Sequence, residues 1–396
     1  MASGVTYVPT LEACCFSLPF RVFGYRLSIG LWLRRTKDTV YQPRKDTNDS
    51  VDNYQYSYLP GKRNIRVLEL HPGASSDPLQ GALLDVSLDD PTVDFEALSY
   101  VWRVACSTGD FESTIDLGGR KCRLGANLTN SLYYLRHESS PRRLWIDAIC
   151  IDQCCLEERS QQVALMAEVY AHATSVVIWL GLASARSQLG LEILFFLSNS
   201  DKRIGSDGAP WDYLDTAEVE MALEDILGRS YFSRLWVVQE AALATHTNMC
   251  VGSTSIQWSM AQTRKFLARI KLAELSPSWQ ASDHLRRIDF RPLCELLEQS
   301  LAADAKRNGT VEIPSLLDVV HSVRHKKVFD DRDRIYGVMS LGTPAEIASF
   351  VPNYSLSWEE TYRRFYDLVV SQVFSDPEIT VDELQVQGEA QGEATT

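Results

Sequence analysis

The apolar positions of this chain fall into short runs of two different periods. At 65–70 ("IRVLEL") they alternate, as in a half-buried strand, and the run stops at the turn "HPG". "ALLDVSL" (82–88) and "FEALSYVW" (95–102) predict two further strands, and "STIDLGGRKCRLG" predicts a hairpin closed at Gly118 and Gly119. "NLTNSLYYLRH" then reads as a short amphipathic helix with Leu128, Leu132 and Leu135 on one face. The run "RRLWIDAICIDQ" (142–153) is almost unbroken and rich in β-branched residues, which predicts a strand buried on both faces. A helix follows over "LEERSQQVALMAEVYAHA", where Val163, Met166, Ala167 and Tyr170 recur at helical spacing, and then a second buried strand, "SVVIWLG" (175–181). Strand, helix and strand at these distances form a βαβ unit, which requires parallel pairing and a right-handed crossover.

Beyond residue 181 the pattern loosens. Residues 182–228 read as an insertion with helices near Leu191 and Glu218. "SYFSRLWVVQEAALA" (230–244) predicts one compact helix and "NMCVGSTSIQW" a strand, and the rest to about 374 is mainly helical. Residues 36–60 are polar and read as a linker. The tail from Asp376 holds six acids, no Lys or Arg, and the repeat QGEAQGEA, a composition that predicts disorder.

Composition narrows the function classes. A net charge of −13 argues against a general nucleic-acid binder, which needs basic patches, and against an anionic membrane surface as partner. Nine cysteines, odd in number and scattered, with no segment that reads as a secretory signal, place the chain in a reducing, cytoplasmic setting with free thiols. Cys150, Cys154 and Cys155 lack a second CxxC pair, so no metal centre is expected there. His321 and His325 are four apart but have no acidic third ligand, and "HSVRHKK" reads as a solvated basic face. The stretch 11–33 is apolar but carries Arg21, Arg26 and Pro19, so it is no transmembrane segment. A poorly ordered extension and a targeting segment, with Cys14 and Cys15 as acylation candidates, both remain open for it.

Two carboxylates conflict with simple packing. Asp147 lies inside the apolar run 142–153, where a charge must be paired or hydrogen-bonded. It is either a structural carboxylate held by backbone N–H groups or an arginine, or a site residue. Asp152 lies at the end of the same run, where parallel sheets place ligands, and reads equally as a turn or cap residue. Glu240 sits in the most apolar part of its helix, four residues after Trp236 and so on the same face. A carboxylate beside an indole in a dry groove has a perturbed pKa; the structural alternative is an ion pair with Arg159 or Arg234. Phosphate-loop, dinucleotide, zinc-protease and nucleophile-elbow motifs do not occur.

"FEALSYVW", "RRLWIDAICIDQ", "EERSQQVALMAEVYAHATSVVIWLG" and "SRLWVVQEAALA" resemble, in order, the three blocks of the fungal heterokaryon-incompatibility (HET) domain. "RVLELHPG" resembles its lead-in strand, and "DDRDRIYGVMSLG" with "VPNYSLSWEETYRRFYDLVV" the segment that often follows it. The resemblance spans about residues 64–370. It departs from the family at Arg103, where a glycine usually follows the tryptophan. The chain also ends where many relatives continue, as a short form or an incomplete gene model does. The organisation expected is an N-terminal extension and linker (1–60), a HET domain (61–260, with blocks over 95–244), a helical C-terminal region (261–375) and an acidic tail (376–396).

HET domains are in turn distantly similar to TIR domains. The resemblance implies an α/β fold, a flavodoxin-like, mainly parallel sheet flanked by helices with a mostly helical C-terminal extension. It also implies a role in non-self recognition and programmed cell death, and homotypic partners or homo-oligomers. Many TIR domains cleave NAD at the nicotinamide–ribose bond with a glutamate four residues after a tryptophan. On that pattern Glu240 is the catalytic residue, Trp236 shapes the pocket, and Ser99, Asp147 and Asp152 orient the nucleotide. NAD would be the substrate, and no cofactor is implied. A non-catalytic adaptor that signals by self-assembly and an inactive paralogue are the alternatives.

Overall fold

The computed structural model describes residues 54–102, 113–200, 204, 208–309 and 314–375, together with 21–22 and 25–26. The chain divides into two compact units, Met1–Pro43 and Arg44–Thr396. In the first, β1 (Arg21–Val22) pairs antiparallel with β2 (Tyr25–Arg26). The rest of the 11–33 stretch, the acidic tail from Asp376 and the departure at Arg103 lie outside the described residues.

The second unit is built on a nine-stranded sheet. In chain order its strands are β3 (Asn64–Leu70), β4 (Gln80–Ser87), β5 (Glu96–Tyr100), β6 (Ser113–Leu117), β7 (Lys121–Leu124), β8 (Arg142–Trp145), β9 (Val176–Trp179), β10 (Thr247–Val251) and β11 (Thr254–Trp258). They lie side by side as β11-β10-β9-β5-β8-β3-β4-β6-β7. The middle, β10-β9-β5-β8, is parallel. β11 pairs antiparallel with β10 at one end, and β3 with both β8 and β4 at the other. The sheet is thus mixed: its main parallel run is the middle, where β9 (VVIW) is buried at every position, and β4 also pairs parallel with β6 toward the other edge.

Numbered by occurrence, the four parallel strands stand in the order 2-1-3-4, the flavodoxin-like doubly wound arrangement. Its topological switch point lies between β5 and β9. The outer hairpin β6–β7 closes on Gly118 and Gly119 at φ of 67° and 87°, values that suit the right-handed strand twist and that glycine adopts without strain.

Helices cover both faces: α1 (Ala126–Leu135), α2 (Asp147–Cys150), α3 (Leu156–His172), α4 (Ser187–Asn199), α5 (Thr216–Leu227), α6 (Val237–Ala242), α7 (Met260–Glu274), α8 (Pro277–Ala281), α9 (Arg291–Arg307), α10 (Leu316–Ser322), α11 (Asp333–Tyr336), α12 (Pro344–Ser349) and α13 (Trp358–Ser375).

Several elements differ from the sequence pattern. The run 142–153 is a strand only to Trp145 and then turns into α2, so Asp147 opens a helical turn rather than lying within a strand. A fully buried turn has the same unbroken apolar pattern as a buried strand. Residues 230–244 are a 3-10 turn (Ser230–Ser233), an extended residue at Arg234, and then the six-residue α6, not one helix. "NMCVGSTSIQW" is a hairpin turning at Gly252 rather than one strand. The looser stretch 182–228 holds α4 and α5, which pack tightly on each other. Part of the polar linker is fixed: the Tyr54 N–H donates to the Lys121 carbonyl (2.9 Å) and the Tyr56 hydroxyl to the Ile149 carbonyl (2.9 Å). "HSVRHKK" is no solvated face throughout, since Lys326 is buried and donates to the Phe232 carbonyl (3.0 Å).

Candidate functional site at the switch point

The parallel strands bring their C-terminal ends to one edge of the sheet. There β5 delivers Ser99, Tyr100 and Trp102, β8 delivers Asp147, and β9 delivers Gly181. Short α6 lies over β5 and β9, flanked by α3 and α9, and this sets Glu240 against the switch point.

Glu240 and Ser99 are both buried, at 2% and 0% exposure, and the Ser99 hydroxyl donates to Glu240 Oε2. Because that bond uses the one hydroxyl proton of Ser99, the Tyr231 hydroxyl, 2.8 Å from Ser99 Oγ, is the donor to it. The result is a buried relay from Tyr231 to Ser99 to Glu240. Burial pushes the Glu240 carboxyl up to about 7; Asp147 adds to the rise, and Arg234 and the Ser99 hydroxyl oppose it. Desolvation and the Glu240 charge also raise the Tyr231 phenol.

Asp147 is half-buried. Its carboxylate accepts from the Trp102 indole N–H (2.9 and 3.0 Å to its two oxygens) and from the Ala148 N–H (2.8 Å). Burial raises its pKa, against the charge of Arg234 and the indole hydrogen bond. Arg234 itself donates to the Tyr100 carbonyl at the end of β5. One guanidinium therefore acts electrostatically on two carboxyls, Asp147 and Glu240, along the C-terminal edge. Arg159 does not join them: it lies 3.7 Å from Asp330 and stacks on Tyr354.

The remaining predicted residues separate. Trp236 precedes α6 and stands one turn before Glu240, but its indole donates to Asp333 Oδ2 (3.0 Å), away from the Ser99 relay. Asp152 accepts from the N–H groups of Cys154 (3.0 Å) and Cys155 (3.3 Å), which makes it the turn that starts α3. The structure thus joins Ser99 to Glu240, sets Asp147 within electrostatic reach, and gives Trp236 and Asp152 other partners. Tyr231 and Asp333 were missed. In sequence "SYF" reads as core, and nothing marks Asp333 among the charges of "DDRDR".

An apolar pocket lined by Ile178, Ala241, Met249, Trp258 and Leu296 lies by the far end of α6 and includes none of these polar groups. Among the described residues no helix is long and apolar enough to cross a membrane. Among them, too, no group of three or more His, Cys, Asp and Glu side chains is placed to hold a metal ion.

Comparison with known proteins shows what the chain is similar to. Residues 95–240 match the family described as heterokaryon incompatibility protein (HET). The chain is 24% identical over 338 residues to heterokaryon incompatibility protein 6, OR allele, of Neurospora crassa, a match covering 74% of this chain and 49% of that relative. The chain therefore spans about half the length of the curated relative it matches. No solved structure matches the chain. The span similar to the HET family begins at the start of β5 and ends on the carboxylate that closes the relay.

Proposed function

We propose that the chain acts in heterokaryon incompatibility, as the name of its Neurospora relative says of that protein, and that it promotes cell death by cleaving NAD at the nicotinamide–ribose bond. The observation that carries the reading is the Ser99–Glu240 contact at the switch point of a doubly wound sheet. That is where such sheets bind nucleotides. In the reaction the bond from C1′ of the ribose to the nicotinamide nitrogen breaks, its electron pair leaves with neutral nicotinamide, and positive charge builds on the ribose. Water then adds at C1′ and loses a proton, giving ADP-ribose. An ionised Glu240 opposes the ribose charge; at ~4 Å and an effective dielectric of ~20 this interaction has an upper value of roughly 4 kcal/mol. In this reading Asp147 orients the nucleotide.

The test is nicotinamide release from NAD by the purified full chain. Glu240→Gln is expected to lower the rate at least ~100-fold. Since Glu240 titrates at about 7, activity of the unaltered protein should climb with pH to a plateau above that value. Equal turnover by the variant, or none by a folded, assembled sample, sinks the reading.

The 2% exposure of Glu240 favours a second reading, a non-catalytic adaptor that signals by self-assembly. It expects Glu240→Gln to keep its cell-killing effect on overexpression and surface changes that block self-association to lose it.

A further inference from the structure

Glu240 rides on a helix of six residues, too short to hold its place through its own hydrogen bonds. What fixes α6 from outside therefore decides where Glu240 points. α9 and α3 pack on α6 itself, and the turn that leads into it is further tied to residues 326–340, beyond the span matched to the HET family. The Lys327 N–H donates to the Ser233 carbonyl (2.6 Å) and the Leu235 N–H to the Lys327 carbonyl (3.0 Å), so the two stretches of main chain bridge where the helical path breaks. One turn on, Asp333 accepts from the Trp236 indole (3.0 Å) and from the Tyr354 hydroxyl (2.7 Å). A further turn on, the Ser340 hydroxyl donates to the Gln239 side chain (2.7 Å). Gly337 lets the segment approach: a Cβ there would stand 2.5 Å from a Leu235 methyl carbon.

Two features separate this support from ordinary core packing. Beside the packing of Gly337 on Leu235 it carries a row of single hydrogen bonds, each of the modest net strength typical of proteins. It also holds a buried charge under strain, because burial and the neighbouring Asp330 push the Asp333 carboxyl up to about 6, against the Tyr354 hydroxyl, Arg159 and the indole N–H.

Resting on the reading of Glu240 as the working carboxylate, we propose that residues 326–340 are an autoinhibitory latch. They hold the turn at 233–240 inward, with Glu240 closed against Ser99, and the protein presents Glu240 to a nucleotide only when this segment lets go. The shut state follows from the geometry, since a carboxylate 2% exposed and bonded to a buried serine reaches no ligand until α6 moves.

The experiment is hydrogen–deuterium exchange on the full chain, comparing unaltered protein with Asp333→Ala and Asp333→Asn. In the alanine variant, amides of 231–243 are expected to exchange roughly tenfold faster or more, while those of β3 and α1 keep their rates. Asp333→Asn keeps an acceptor for the indole and should restore most of the protection. If Asp333→Ala does not fold, Trp236→Phe removes the indole donor while keeping an aromatic ring and is read the same way. Unchanged exchange at 231–243, or acceleration of every segment together, overturns the latch. Exchange needs no NAD, so the two ideas separate. Faster exchange with raised nicotinamide release supports both, whereas faster exchange without release keeps the latch and removes the NAD reading.

Discussion

Replacing Glu240 by glutamine is expected to change stability by an amount that depends strongly on pH. Glu240 titrates at about 7 in the folded chain against an ordinary 4.5. Between those values the folded state binds a proton that the unfolded state has lost. The stabilisation from the raised pKa is fully present below pH 4.5 and is lost as pH rises through about 7. A rise of that size corresponds to about 3 kcal/mol. Glutamine does not titrate, so relative to the unaltered protein the variant should gain about 3 kcal/mol between about pH 4 and about pH 8. Whatever fixed cost the amide carries beside Ser99 cancels in that difference. Urea midpoints for both proteins at several pH values measure the quantity. A flat difference means that Glu240 carries its charge in solvent, and the buried relay with it is refuted.

That buried carboxylate was partly legible in the sequence. A glutamate within "WVVQEAALA" sits among mostly apolar residues, which makes it a candidate for a buried, perturbed carboxylate, with an ion pair as the alternative. Ser99 was named for the same site and Arg234 as a charge partner, but neither the direct Ser99–Glu240 bond nor Tyr231 behind it was legible. Ser99 and Tyr231 lie 141 and 132 residues apart in sequence from Glu240 and Ser99 respectively, and only the parallel crossover brings them together. The i, i+4 spacing of Trp236 and Glu240 placed both one turn apart. It could not show that the indole turns to Asp333, since that choice is made by a segment folding back from almost a hundred residues downstream. The strands were readable where burial is one-sided or where turn residues bracket them, as in β3, β5 and the hairpin at Gly118. Pattern reading failed where burial is complete. At 146–151 a buried strand and a buried helical turn look alike, and this misplaced Asp147.

Arg66→Met should be among the most damaging single changes in the sheet, at about 3–5 kcal/mol. Arg66 is 0% exposed and lies on β3, outside the span matched to the HET family. It pairs with both oxygens of Glu158 (2.6 and 3.0 Å) and donates to the carbonyls of Cys150 (3.2 Å) and Ser57. Methionine fills similar space, but it leaves Glu158 with its charge shielded from water and two carbonyls without their donor. Glu158 Oε1 also accepts from the Asp152 N–H (2.7 Å), so the damage reaches the loop between Asp147 and α3. The cost is therefore that of an abandoned charge more than of a lost attraction, and this makes a further claim testable. Adding Glu158→Gln removes the charge while keeping an acceptor for Asp152, so the double variant should regain more than half of what Arg66→Met loses. Chemical denaturation of both single variants and the double closes the cycle. A loss below about 1 kcal/mol for Arg66→Met, or none recovered in the double, would mean that water reaches the pair. In that case β3 would not be what holds the Asp147 loop against the sheet.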